Sequence, residues 1–99
     1  MSKYRSVKFR GYDSKREAAR AQELALLQHI GEITDLEYQV EYELIPKQEG
    51  ERAVKYRADF RYRENGAVVV EDCKGFKTPE YILKRKMMKW VHGVTIRET

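Results

Sequence analysis

Asp59, Asp72 and Lys74 are the residues whose types and spacing could do chemistry in this chain. Asn65-Gly66 is the strongest short hairpin signal a sequence can carry, because both central positions of a type I′ turn need a positive φ. A two-residue loop there pairs Glu64 with Ala67, Arg61 with Val70 and Asp59 with Asp72. Directly opposed strand residues point to one face with Cβ atoms about 4.5–5.5 Å apart, and like charges in that position repel. A divalent cation relieves the repulsion directly: Mg²⁺ takes oxygen ligands, sits on one or two carboxylates and keeps waters for reaction. Lys74, two residues beyond Asp72, returns to the same face, whereas Glu71 and Cys73 point away. The lysine can then reach a phosphate or a water beside the metal.

Two further polar residues bear on this pair. Glu17 shares a helical direction with Ala21 and Leu24, so a helix packed on the sheet would bring it to the aspartates. It is also the fourth residue of Ser14-Lys15-Arg16-Glu17, a capping-box pattern, and a simple cap is the competing reading. Gln39 falls opposite Asp59 if Glu37, Glu41 and Glu43 oppose Arg61, Arg57 and Lys55 as a cross-strand ladder. The plainer alternatives are a salt bridge from Asp59 to Arg57 or Arg61, a solvated Lys74, a surface Gln39 and an inert Cys73 thiol.

The elements that must position these residues follow from periodicity. Good helix formers run from Ser14 to Ile30 and stop at Gly31. Leu36 to Leu44 alternates apolar with polar, and so does Val54 to Tyr62, the period of half-buried strands. Ala67-Val68-Val69-Val70 is continuously apolar and reads as an interior strand. Thr78-Pro79-Glu80 opens a second helix and Gly93 closes it, with Leu83, Met87, Trp90 and Val91 as its expected buried stripe. Val94-Thr95-Ile96-Arg97 alternates as a short final strand. The order is helix, three-stranded meander, helix, strand: an α/β sandwich.

At 99 residues the chain is read as one domain, 1–99, opening with a basic arm over residues 1–12. Its 36% charged residues and mean hydropathy of −0.77 leave no stretch suited to a membrane, and a polar, basic start argues against export. One cysteine excludes an intramolecular disulfide and a multi-cysteine zinc site, which suits a reducing cytoplasm. The net charge of +4 is compatible with a polyanionic partner. Lys3, Arg5, Lys8, Arg10, Lys15, Arg16 and Arg20 crowd the first fifth, and Lys84, Arg85, Lys86 and Lys89 crowd the second helix, while acids concentrate between Glu32 and Glu51. These basic groups either flank a phosphate backbone or form ordinary solvated faces. His29, His92, Trp90 and the seven tyrosines need no special role at this level.

An acid on one hairpin strand followed by acid-x-Lys on the next resembles the PD-(D/E)XK nuclease superfamily. Here the signature reads Ala58-Asp59 and Asp72-Cys73-Lys74, with alanine in place of the proline. More closely, Tyr12-Asp13-Ser14-Lys15-Arg16-Glu17-Ala18, Tyr56-Arg57-Ala58-Asp59-Phe60, Val70-Glu71-Asp72-Cys73-Lys74-Gly75-Phe76-Lys77-Thr78 and Val94-Thr95-Ile96-Arg97-Glu98 are similar to a family of small phage and prophage endonuclease-like proteins. The resemblance spans nearly the whole chain. It implies a restriction-endonuclease-like core, α-β-β-β-α-β, with a central mixed sheet flanked by two helices.

The resemblance also implies metal-dependent hydrolysis of DNA phosphodiesters. Asp59, Asp72, Glu17 and the carbonyl of Cys73 would hold Mg²⁺ or Mn²⁺, with Gln39 ordering the groups behind them. Lys74 would orient or deprotonate water, or stabilise charge on the phosphate. The N-terminal basic residues with Lys77, Lys84, Lys86 and Lys89 would contact the DNA backbone. The expected partner is DNA, with no membrane and a homodimer permitted. Branched DNA, nicking or double-strand cutting in phage DNA processing or recombination all remain open, and a non-catalytic nucleic-acid-binding module with the same fold is the alternative.

Overall fold

A computed structural model describes residues 14–99 of the chain. The elements are α1 (Lys15–His29), β1 (Thr34–Ile45), β2 (Val54–Glu64), β3 (Ala67–Asp72), α2 (Pro79–His92) and β4 (Arg97–Glu98). The expected order and α/β class are therefore observed, with two helices and one four-stranded mixed sheet. Its strands lie in the order β1-β2-β3-β4, antiparallel for the first two neighbours and parallel between β3 and β4. The interior position of β3 follows from its apolar run. Lys3, Arg5, Lys8 and Arg10 of the basic arm lie outside the described residues.

Local chemistry sets the ends of the elements. Ser14 caps α1 by accepting the Glu17 amide N–H, and Thr78 caps α2 by accepting that of Tyr81. Asn65 and Gly66 have φ values of 53° and 81°, the doubly left-handed turn that the Asn-Gly pair demands. The turn fixes the β2–β3 register at Glu64↔Ala67 and Arg61↔Val70, as the loop length requires. In the other hairpin Glu37, Glu41 and Glu43 do stand opposite Arg61, Arg57 and Lys55. The salt bridges formed between the two strands are Arg61 to Glu37, Arg63 to Asp35 and, diagonally, Lys55 to Glu41.

The core is double. Tyr56 and Ala58 of β2 pack with Val70, Tyr81, Met88 and Ile96, while Phe60 and Tyr62 of the same strand pack with Ala21, Leu24 and Ile33. In β1, likewise, Leu36 joins the α1 cluster whereas Tyr42 and Leu44 join the α2 cluster. Residues of one parity thus divide between the two helices, so the strict alternation expected along each strand is broken midway. Gln39, with φ 54°, lies at that break in β1. Val69 and Val70, successive on β3, join the α1 and α2 clusters respectively, so the two helices lie against opposite faces of that strand.

The last residues differ from expectation. Residues 94–96 are not strand, although Ile96 is buried; β4 is the two residues Arg97 and Glu98, paired in parallel with Glu71 and Asp72. Thr99 extends this ladder, donating its N–H to the Asp72 carbonyl at 3.0 Å and accepting that of Lys74 at 3.1 Å. The C-terminal end thereby holds the backbone from Asp72 to Lys74.

The buried stripe of α2 is also corrected. Tyr81 and Met88 face the core, with Ile82 and Met87 partly covered, whereas Leu83, Val91 and above all Trp90 are exposed. This helix is apolar on two sides, so periodicity marks both and cannot say which meets the sheet. The choice is made by tertiary contacts: Tyr81 reaches Glu98, and His92 Nε2 lies 2.7 Å from the Glu43 carbonyl on β1.

Candidate metal and catalytic site

Asp72 ends β3, an interior strand of the sheet, and its residue is 1% exposed. Its Oδ2 accepts a hydrogen bond from the Tyr56 hydroxyl. Burial first, and then the Asp72 carboxylate, push the Tyr56 phenol far above its ordinary value, so it stays a protonated donor. Lys74 Nζ lies 3.5 Å from the same oxygen and 4.6 Å from the centre of the Tyr81 ring. The lysine therefore bridges the strand end and the first turn of α2. Asp72 Oδ1 is buried and has no hydrogen-bond partner among the described residues.

Asp59 is half-buried on β2 and contacts the carboxyl of Asp72. Its Oδ2 accepts the Cys73 amide N–H at 2.9 Å. Burial, followed by the contact with Asp72, raises its pKa to about 8 against the lowering influence of that amide, and the charges of Asp72 and Glu17 add to the rise. The opposed aspartates inferred from the Asn-Gly turn are thus together, and the neutral form of one is favoured. The alternative of a salt bridge from Asp59 to Arg57 or Arg61 is not among the ion pairs of the described residues, and Arg61 is committed to Glu37.

Glu17 reaches the pair from α1. It is 4% exposed, and its Oε2 accepts from Gln39 Nε2 at 2.8 Å. The helix cap uses the Glu17 amide, which leaves the carboxylate to face the sheet. Gln39 stands between Tyr38 and Val40, which pair with Phe60 and Ala58, so it is opposite Asp59 in the ladder. Its left-handed backbone costs about 1–3 kcal/mol for a non-glycine residue, and such strain gathers where a side chain must be aimed. Cys73 enters through its amide; burial raises its thiol pKa, and Sγ lies 3.4 Å from Thr99 Oγ1.

A buried acceptor without a partner costs about 1–3 kcal/mol and calls for an ion or water to meet it. The donors here are carboxylate oxygens, which suit Mg²⁺ or Mn²⁺ rather than a softer metal. Among the described residues no three His, Cys, Asp or Glu side chains close around one point. Two carboxylates suffice for a Mg²⁺ that keeps several waters. Glu17, held by Gln39, stands beside the pair rather than closing a third side.

One buried acid escaped the sequence reading of site and scaffold. Glu71 is fully buried, accepts from Arg20 Nε at 2.6 Å and Nη2 at 3.0 Å, and also accepts from Tyr62 and Thr99. Burial alone would raise its pKa, but these donors outweigh it and hold the carboxylate below its ordinary value. It clamps α1 to β3 and so fixes Glu17 against Asp59. Nothing in the spacing of Arg20 and Glu71 announces the pair, because 51 residues separate them.

Of the basic residues assigned to DNA, Lys77 pairs with Glu98 and Lys84 with Glu80. Lys86 and Lys89 form no salt bridge among the described residues, and Lys15 and Arg16 are exposed at the start of α1. No helix among the described residues is long and apolar enough to cross a membrane. Neither the curated proteins nor the solved structures yielded a match to this chain. A family described as a protein of unknown function has a model that matches residues 1–95, and the chain belongs to that family, DUF1064.

Proposed function

We propose that this protein is a metal-dependent endodeoxyribonuclease that hydrolyses DNA phosphodiesters. The observation that carries the reading is the Asp59–Asp72 pair, with one buried Asp72 oxygen left without a partner among the described residues and the Lys74 ammonium 3.5 Å from the other. A bound Mg²⁺ or Mn²⁺ would polarise the scissile phosphate and lower the pKa of an attacking water. Asp59 and Asp72 would hold it, with Glu17 as a third acidic neighbour and the Cys73 carbonyl as a further ligand. The Tyr56 hydroxyl fixes the rotamer of Asp72, and the Cys73 N–H fixes that of Asp59. Gln39 does the same for Glu17. Lys74 supplies positive charge at the phosphate or orients the water, and the Tyr81 ring limits where its ammonium can sit.

The test is cleavage of linear, nicked, flapped and four-way DNA in Mg²⁺ or Mn²⁺. Asp72→Ala and Lys74→Ala should each lower the cleavage rate by about 10²–10⁴, while DNA binding in EDTA falls far less. Undiminished cleavage by a folded Asp72→Ala protein would overturn the mechanism. Binding without cleavage of any substrate by the parent protein would leave a nucleic-acid-binding module instead.

A further inference from the structure

Trp90 is 89% exposed and Phe76 is 79% exposed. Tryptophan is normally among the more covered residues, so a nearly bare indole needs an explanation. Both rings stand among lysines. Phe76 lies in the loop that leaves Lys74 and is followed by Lys77, while Trp90 shares the outward face of α2 with Leu83 and Lys86 at i, i+3 and i+7 spacing and is preceded by Lys89. Lys86 and Lys89 have no acidic partner among the described residues.

We infer that Phe76 and Trp90 are stacking platforms for unpaired bases, and that the substrate is DNA with a single-stranded segment running along α2. The inference takes DNA from the function proposed above and narrows it to this class. Exposed aromatic rings beside lysines, with Lys86 and Lys89 at Trp90 free of any acidic partner among the described residues, match the two faces of a single strand, a charged backbone and flat apolar bases. The charge decides against the other occupants. A second copy of the chain packed symmetrically on this face would set Lys86 and Lys89 against themselves. A lipid surface needs an unbroken apolar stripe with cations at its margins, whereas Lys86 lies between Leu83 and Trp90. Trp90 is about 16 Å along the helix axis from Pro79, so the platforms bracket the length of α2 and one of them adjoins Lys74.

Trp90 is the only tryptophan, so intrinsic fluorescence reports on this residue alone. Titration in EDTA separates binding from cleavage, and the probes are single-stranded oligo(dT), a duplex of equal length and phosphatidylglycerol vesicles. Oligo(dT) should quench Trp90 strongly and the duplex weakly. Trp90→Leu and Phe76→Leu should each weaken oligo(dT) binding about tenfold and duplex binding less than twofold, and Trp90→Phe should retain most of the affinity. Equal weakening for single strand and duplex would overturn the inference. So would an unquenched indole, a blue shift with vesicles, or one that grows with protein concentration in the absence of DNA. Quenching by oligo(dT) in a protein that cuts no DNA would remove the nuclease reading and leave the platforms. Cleavage without quenching would do the reverse.

Discussion

Replacing Asp59 with asparagine isolates the electrostatic tension in the carboxylate pair. Asparagine keeps the shape, can still accept the Cys73 N–H through its oxygen, and can donate to Asp72 through its amide. In the parent the Asp59 pKa is raised from 3.8 to about 8, by burial first and then by contact with Asp72. The folded state therefore holds a proton that the unfolded chain releases, and stability is complete below about pH 4 and declines as pH rises to about 8. About four pH units at ~1.4 kcal/mol each would give more than 5 kcal/mol. Asp59 is only half-buried and shares its proton affinity with a partner, so solvent screening reduces this to about 2 kcal/mol. For a domain of this size the parent should lose roughly 10 °C of melting temperature between pH 4.5 and 8.5.

Asp59→Asn should match the parent near pH 4 and exceed it by about 2 kcal/mol at pH 8.5. Thermal melts followed by circular dichroism in EDTA across that range measure the difference. Mg²⁺ or Mn²⁺ added at pH 8.5 should restore the parent, by about 2.7 kcal/mol at a hundredfold excess over Kd. Asp59→Asn should lose most of that gain. Parallel pH profiles for the two proteins, or equal gains from metal, would refute the argument that Asp59 is held neutral against Asp72 and releases that tension to a metal ion.

Arg20→Met should cost about 3–5 kcal/mol in urea denaturation, because it strands the buried Glu71 carboxylate, and adding Glu71→Leu should recover most of the loss. A cost below about 1 kcal/mol would show that the clamp between α1 and β3 is unimportant. Gln39→Gly should change stability by less than about 1 kcal/mol, since relief of a left-handed backbone offsets the lost hydrogen bond to Glu17, yet slow cleavage by removing the group that orients the Glu17 carboxylate. Unaltered cleavage in that variant would separate Gln39 and Glu17 from the chemistry.

The sequence alone determined what local rules govern. The Asn65-Gly66 turn set the β2–β3 register, and with it the meeting of Asp59 and Asp72, because two left-handed residues close only one loop. Alternation and capping located both helices and the first three strands, and the glutamate ladder of β1 met its expected partners. The tertiary structure decided whatever depends on phase or on distant contacts. Equal parity in β2 hid the division of its residues between two cores, since a strand pattern records alternation but not a change of covering helix midway. Tyr56, read as one more apolar position, became the donor that holds Asp72. Glu17 carried both a cap signal and a core-facing spacing; packing gave its amide to the cap and its carboxylate to Gln39. The second helix offered two apolar faces, and only its docking through Tyr81 and Met88 turned Trp90 outward, because helical periodicity fixes the spacing of a stripe and not the side that the rest of the chain will cover.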